Sequence, residues 1–350
     1  MTNLKLFSLV GTALTLVSCA VINSSPRAVS QPSAQPVQDN LIGLFMLKRN
    51  NLNQQYRGEI YPIAQYRNGR YTDASLDVTP EVREDSKEAE IVQRNAANSV
   101  LNTNPTFTIA NPGYALGKFS VDRLGVGQFA CSAVLVGRGK LAGQSDLNLA
   151  FNQLPRASQR TSSGVFNGQE FDETWRSAIA AKVTTPATTV RPTRAQLDQY
   201  RKDLIRIGTN EIAKNPQAKS VQGTVTLVEL RVFDLNGDGQ PEVFGKLRKA
   251  PARGVQPNRD RPTVSSIYAN VWLGYGASQP QLLSSQAVPY FVPAIEAGRI
   301  YEIVGTIDAN GDGQQEVLIQ NNGYEAITFS LYELQGNQLK SVFTGGGYGC

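Results

Sequence analysis

One nine-residue loop occurs twice in this chain and limits what it can fold into more than any other feature. The first copy is Asp234-Leu-Asn236-Gly-Asp238-Gly-Gln240-Pro-Glu242 and the second is Asp308-Ala-Asn310-Gly-Asp312-Gly-Gln314-Gln-Glu316. Each places side-chain oxygens at positions 1, 3, 5 and 9 and glycines at positions 4 and 6. A backbone coiled tightly enough to aim alternate side chains at one centre needs residues that accept positive φ, which is the use of the glycines. The oxygens are the donor set of a hard cation, calcium before others. Candidate ligands are Asp234, Asn236, Asp238 and Glu242, with the Gln240 carbonyl at position 7. Asp308, Asn310, Asp312, Gln314 and Glu316 repeat the set. A calcium loop flanked by helices carries a glutamate at position 12; here that position holds Gly245 and Ile319. The flanks, Val225–Phe233 before the first loop and Glu316–Gln320 after the second, read as strands. Asn-Gly and Asp-Gly also make good turns without metal. Two copies with the same acid at position 9 favour the metal reading.

Each nonapeptide resembles the calcium loop of FG-GAP/VCBS repeats, the blades of integrin-α-like β-propellers. In that family D-x-[DN]-G-D-G-x-x-D joins two strands of a blade. The resemblance covers about residues 221–350. It implies that positions 1, 3, 5 and 9 ligate metal and that the protein holds two calcium ions. Glu stands here where Asp is commoner at position 9. The loops begin 308 − 234 = 74 residues apart. Each copy continues into a strand and a second hairpin, Ile267–Leu273 in one and Ile327–Glu333 in the other. An insertion at about Ala250–Pro262 lengthens the first copy. That makes each copy roughly four strands, the size of a propeller blade. Two blades do not close a ring. Either the N-terminal β region completes a small propeller, or the copies form an unclosed pair; the second is favoured. The fold class expected is mainly β with a few helices (α+β), built on repeated four-stranded blade-like units, an incomplete or degenerate propeller.

The N-terminus reads as an export signal, with Lys5 ahead of a Leu6–Val17 apolar run too short to span a bilayer. Leu16-Val-Ser-Cys19 resembles the bacterial lipobox. That likeness implies a signal peptide over 1–18, a lipidated (palmitate-bearing) Cys19 and a protein anchored to the membrane of the cell envelope. Ala20, in place of Asp, favours the outer membrane. Residues 19–40, rich in Ser, Pro and Gln, read as a disordered tether. Cys131 and Cys350 are then the only cysteines left, and an exported compartment permits their pairing.

Between tether and repeats, residues 41–145 read as a β-rich domain with one helix. Arg67-Asn-Gly-Arg-Tyr71 is a hairpin signal. Thr79 and Pro80 would open the helix, which runs to about Ser99. Residues 146–220 read as an irregular connection followed by a helix. That helix is capped by the box Thr193-Arg-Ala-Gln196 and ended or bent by Gly208.

The chain contains no histidine. That removes Ser-His-Asp and Cys-His catalysis and histidine-ligated zinc. Residues 221–350 carry 9 basic and 12 acidic side chains, 9 − 12 = −3, with six of the acids in the two loops. The rest of the chain is mildly basic, without the clusters of a nucleic-acid-binding protein. Glu170, Asp172 and Glu173 lie near Trp175 but read as a solvated loop rather than a catalytic pair. Trp272, Tyr275, Tyr290 and Phe291 read as core rather than as a sugar-stacking surface. The expectation is a lipid-anchored binding or structural module of the envelope. Its partner would be an envelope polysaccharide or protein. The alternative is a carboxylate-dependent envelope hydrolase or polysaccharide-processing factor.

Overall fold

A computed structural model describes residues 39–349 except 84–86, 112–113, 130–131, 144–145, 167–168, 185–189, 252–262, 277–278, 293–299 and 324–325. The signal, most of the tether, Cys19, Cys131, Cys350 and most of the 250–262 insertion lie outside the described residues. Within them the protein is mainly β, in several sheets. No helix there is long and apolar enough to cross a membrane.

The first sheet closes on itself. It comprises β1 (Asp39–Asn50), β2 (Tyr56–Arg67), β3 (Arg70–Asp73), β4 (Thr106–Asn111), β5 (Tyr114–Phe129), β6 (Ser132–Leu141), β7 (Arg160–Phe166) and β8 (Gln169–Ala181). Antiparallel pairing runs β1-β2-β6-β5-β4-β8 and returns from β8 to β1, with β3 and β7 appended at the edges. Closure removes the exposed edges that an open sheet must manage. Side chains alternate across the wall. On β1, Leu41, Phe45 and Leu47 join Phe107, Phe119 and others inside the barrel. Ile42, Leu44 and Met46 face outward and form a second apolar layer. The Asn-Gly hairpin is present. Asn68 and Gly69 take φ of 51° and 77°, and Arg67 pairs with Arg70 across the turn.

Three expectations for this half are corrected. The tether ends sooner, because Asp39 and Asn40 already belong to β1, and Asn40 is buried. The stretch expected to be irregular holds α2 (Leu147–Gln153), β7 and β8. Alternation in β8 escapes notice because its inward residues are Thr174, Arg176, Ala178 and Ala180. Two of these are polar, and two are small enough to fit the barrel interior. Thr79 does not cap a long helix. Its hydroxyl accepts from Ala133 N at 2.9 Å, tying the segment to the barrel, and α1 begins only at Glu88 and ends at Asn95.

The C-terminal half is two antiparallel four-stranded meanders. The first holds β9 (Val225–Phe233), β10 (Glu242–Lys249), β11 (Thr263–Gly274) and β12 (Gln281–Val292); the second holds β13 (Ile300–Ile307), β14 (Glu316–Asn322), β15 (Ala326–Gln335) and β16 (Gln338–Gly349). Both meanders are covered on both faces. Helix α3 (Arg194–Lys214), with its Thr193–Gln196 capping box formed, packs Tyr200, Leu204 and Ile212 on the outer face of the first. The inner face, with Phe244 and Trp272, meets Tyr301, Val317 and Ile319 of the second. The second then turns Leu318, Phe329 and Leu331 to the outer wall of the barrel. The order of layers is helix, meander, meander, barrel. Gly208 does not end α3, which runs on to Lys214. A Cβ there would stand 2.7 Å from Leu247, and one on Gly245 would stand 2.6 Å from Leu204. The two glycines let helix and sheet approach by receiving each other's leucines. Trp272 is fully buried, as core packing requires, and Tyr275 packs on Tyr200 at 4.5 Å between ring centroids.

Candidate functional site

Both loops occupy the same place in their meanders, joining the first strand to the second. Their backbones coil alike, with φ of 71° and 80° at Gly237 and Gly239 and of 77° and 88° at Gly311 and Gly313. Their hydrogen bonds repeat nearly atom for atom. The position 9 glutamate opens the second strand and reaches back across the loop. Leu235 N donates to Glu242 Oε2 and Ala309 N to Glu316 Oε2, each at 2.7 Å. Asn236 Oδ1 accepts from Asp238 N at 3.1 Å, and Asn310 Oδ1 from Asp312 N at 2.9 Å. Asp238 Oδ1 accepts from Gln240 N at 2.7 Å, and Asp312 Oδ1 from Gln314 N at 2.8 Å. Gly239 and Gly313 donate to Oδ2 of Asp234 and Asp308, each at 3.2 Å.

The copies differ at one oxygen. Asp308 Oδ1 accepts from Gly311 N at 2.7 Å, whereas Asp234 Oδ1 is buried and receives no hydrogen bond of ordinary geometry. Burial, with Asp238 and Asp234 nearby, pushes the Glu242 carboxyl up to about 7. Burial, with Asp312 nearby, pushes Glu316 up to about 8. In each loop burial thus disfavours the charged form of the position 9 carboxyl, and no basic side chain of the loop offsets it. The donor chemistry suits a divalent cation, and an orphaned buried carboxylate oxygen is what such an ion would satisfy. In the conformation described, however, the acids are turned to backbone N–H groups. No three Asp, Glu, Cys or His side chains among the described residues are gathered closely enough to hold a metal.

The loops lie against each other: Gln315 N donates to Leu235 O at 2.6 Å. The second also meets the barrel, where Tyr71 OH donates to Glu316 Oε1 at 3.1 Å and Asn40 Nδ2 to Ala309 O at 2.8 Å.

A second feature was not foreseen. A cleft of about 890 Å³ opens on the outer wall of the barrel, bounded by both meanders. It arises because the outward faces of three strands change character at one level. Ile42, Leu44 and Met46 on β1 give way to Lys48 and Asn50. Ile63 and Tyr61 on β2 give way to Glu59 and Arg57, and Ile179 on β8 to Ser177, Trp175 and Glu173. Register aligns Arg57, Lys48, Trp175 and Arg160 as one row across β2, β1, β8 and β7.

Beneath that row Glu59 is wholly buried. It takes Lys48 at 2.9 Å, Arg57 at 2.8 Å and Arg138 at 3.1 Å. Tyr61 OH adds a bond at 2.9 Å. Burial alone would raise the Glu59 carboxyl, but Lys48, Arg57 and Arg138 outweigh it and hold it far below the usual carboxylate range. Arg57 also reaches Glu173 at 2.9 Å, and Arg138 reaches Glu88 at 2.5 Å. On the far wall Glu229 pairs with Arg231 at 2.6 Å and Lys246 at 3.5 Å, and Arg160 pairs with Glu302. Of the acids read as a solvated loop, Glu170 and Glu173 line the cleft, while Asp172 faces away and accepts from Asn51 at 2.8 Å. The sequence signal for this site was a charged residue falling in phase with an apolar strand face, as Lys48 does after Ile42, Leu44 and Met46.

Comparison with protein-family models, curated proteins and solved structures finds no match to this chain.

Proposed function

We propose that this is a lipid-anchored protein of the cell envelope, held through Cys19. In this reading it is built on two FG-GAP/VCBS-type blade-like units stiffened by calcium and serves as a binding module. The observation that carries the metal reading is the duplicated loop itself. Two copies share backbone, glycine conformation and most hydrogen bonds, and in the first the buried Asp234 Oδ1 receives no hydrogen bond of ordinary geometry. Asp234, Asn236, Asp238 and Glu242 with the Gln240 carbonyl would hold one ion; Asp308, Asn310, Asp312 and Glu316 with Gln314 would hold the other. The ion would neutralise the acids and fix the turn that starts each meander.

Binding is favoured over hydrolysis because four of the five cleft glutamates, Glu88, Glu173, Glu229 and Glu302, are each paired with Arg or Lys. A general acid must hold a proton, and a neighbouring cation opposes that. A Cys131–Cys350 disulfide belongs to the same proposal. It is supported by Ser132 Oγ, which donates to Gly349 O and so brings the chain neighbours of the two cysteines together. Mass spectrometry of the mature protein under non-reducing conditions reads both the lipid and the disulfide.

The deciding test for the metal is calorimetric titration with calcium. Two ions are expected for the wild type, and one each for Asp238→Ala and Asp312→Ala. Unchanged stoichiometry in both variants removes the ligand assignment.

A further inference from the structure

The cleft can be asked what it would take. At about 890 Å³ it lies within the ~300–1,000 Å³ range of sites for small and medium ligands. Its lining carries seven Lys or Arg side chains and five Glu, and Glu59 behind them makes six carboxylates. The charges nearly balance, and apart from Lys87 and Glu170 they are paired with one another. An apolar ligand would strip water from a dozen ionic groups, which is costly. A polyanion would face five carboxylates, and a polycation seven positive groups whose partners are already engaged.

What remains are hydrogen-bonding valences of both kinds. Guanidinium groups offer donors and carboxylates offer acceptors. Asn50, Gln128, Gln320 and Ser177 offer both. A ligand dense in groups that donate and accept at once, without net charge, matches that lining. Among the charges sits one broad ring. Trp175 is half-buried in the centre of the Arg57–Lys48–Trp175–Arg160 row, with Phe171 two positions along the same face of β8. An indole bordered by hydrogen-bonding groups can take the C–H face of a pyranose while its hydroxyls reach the rim, here beside the Lys48 ammonium, which stands over the ring at 6.0 Å from its centroid.

We propose that this cleft binds an uncharged oligosaccharide, with one sugar ring seated on the indole of Trp175. The inference deepens the reading of the protein as an envelope binding module but does not depend on calcium. The floor is the wall of the closed barrel, and its length along β8 from Phe171 to Ser177 suits several linked sugars.

The chain has two tryptophans, and Trp272 is fully buried. A change in tryptophan emission on adding sugar therefore reports Trp175. The test titrates the full mature protein with cellotetraose, chitotetraose and maltotetraose, and with tetragalacturonate as an anionic oligomer of equal length. At least one neutral tetrasaccharide should give a saturable change and a matching calorimetric isotherm, and tetragalacturonate should bind at least about tenfold more weakly. Trp175→Ala should weaken the neutral sugar by about tenfold or more, and Trp175→Phe, which keeps a ring, by less. If Trp175→Ala does not fold, calorimetry on Trp175→Phe and wild type carries the comparison.

No saturable binding by any neutral tetrasaccharide overturns the inference. So does tighter binding of tetragalacturonate, or affinity unchanged by both Trp175 variants. Asp238→Ala and Asp312→Ala separate this site from the metal reading. Sugar binding should survive in both, so a calcium stoichiometry unchanged in both variants, with sugar binding intact, counts only against the loops. Losing sugar binding with two calcium ions intact counts only against the cleft.

Discussion

Two glutamates among the described residues are completely removed from water, Glu59 in the barrel wall and Glu316 in the second loop, and they solve that problem in opposite ways. Glu59 is surrounded by Lys48, Arg57 and Arg138, and its carboxyl is held far below its ordinary range. Glu316 has one tyrosine hydroxyl and one backbone N–H, no cation beside it, and a carboxyl pushed up by burial to about 8. The barrel carries its own countercharge, whereas the loop leaves room for a charge from outside. The same residue type in the same degree of burial thus marks a finished network in one place and an open valence in the other.

Removing the two carboxylates should therefore have unlike consequences. Glu59→Ala strands three cations around an apolar gap. Breaking a buried ionic network from one side costs about 3–5 kcal/mol, the largest effect expected here, read as a drop in urea midpoint. Glu316→Gln keeps an acceptor for Ala309 N and replaces a carboxyl that burial already holds largely protonated at neutral pH, so in calcium-free buffer it should change stability by less than about 1 kcal/mol. Equal losses would erase the distinction drawn between the sites.

The pH dependence sharpens it further. The Glu59 pKa is lower folded than its unfolded value of about 4.3, so the native state binds fewer protons at that site. Its stabilisation is complete above roughly pH 5 and is lost as pH falls toward the folded value. The acid limb of the stability curve should be shallower in Glu59→Gln. An unchanged limb would mean that other carboxylates govern acid unfolding.

Calcium should act on the loops and leave the Glu59 network untouched. A ligand at one hundred times its Kd stabilises by about 2.7 kcal/mol per site. Wild type should show a calcium-dependent rise in melting temperature, and each of Asp238→Ala and Asp312→Ala should lose part of it. Glu59→Gln should lower the baseline yet keep the full rise. A rise that vanished in Glu59→Gln would show that the two regions are coupled.

What was legible in the chain follows the same division. The loops could be read because they are local: nine consecutive residues fix the turn, its glycines and the acid that reaches back. Thr193–Gln196 and Asn68-Gly69 were readable for the same reason. The barrel closure was not, because it depends on short ladders between distant strands, such as Glu59 with Arg138 and Thr108 with Ala181. The cleft was hidden further, since its row draws Arg57, Lys48, Trp175 and Arg160 from four strands that no sequence window contains. Gly208 was misread for a related reason. Glycine in a helix weakens it in isolation, and only the facing Leu247 shows why it is there.

A last variant probes the contact that sets the two loops in unlike surroundings. Tyr71 stands on the short β3 strand, its ring tilted against Tyr66 at 4.9 Å between centroids, and its hydroxyl is the barrel's hydrogen bond to Glu316. No barrel residue makes a corresponding bond to Glu242 among the described residues. Tyr71→Phe keeps the ring and its packing and deletes one hydrogen bond to a carboxylate, which should cost about 1 kcal/mol. Because Glu316 would still hold Ala309 N, the loop should keep its shape, and calcium stoichiometry should remain two. The affinity of the second site alone should change, and double variants decide whether it does. Tyr71→Phe should add nothing to the calcium response of Asp312→Ala, which lacks that site, but should alter the response of Asp238→Ala, which retains it. If Tyr71→Phe shifted both variants equally, the hydroxyl would be supporting the barrel in general, and the two loops would be energetically equivalent despite their different surroundings.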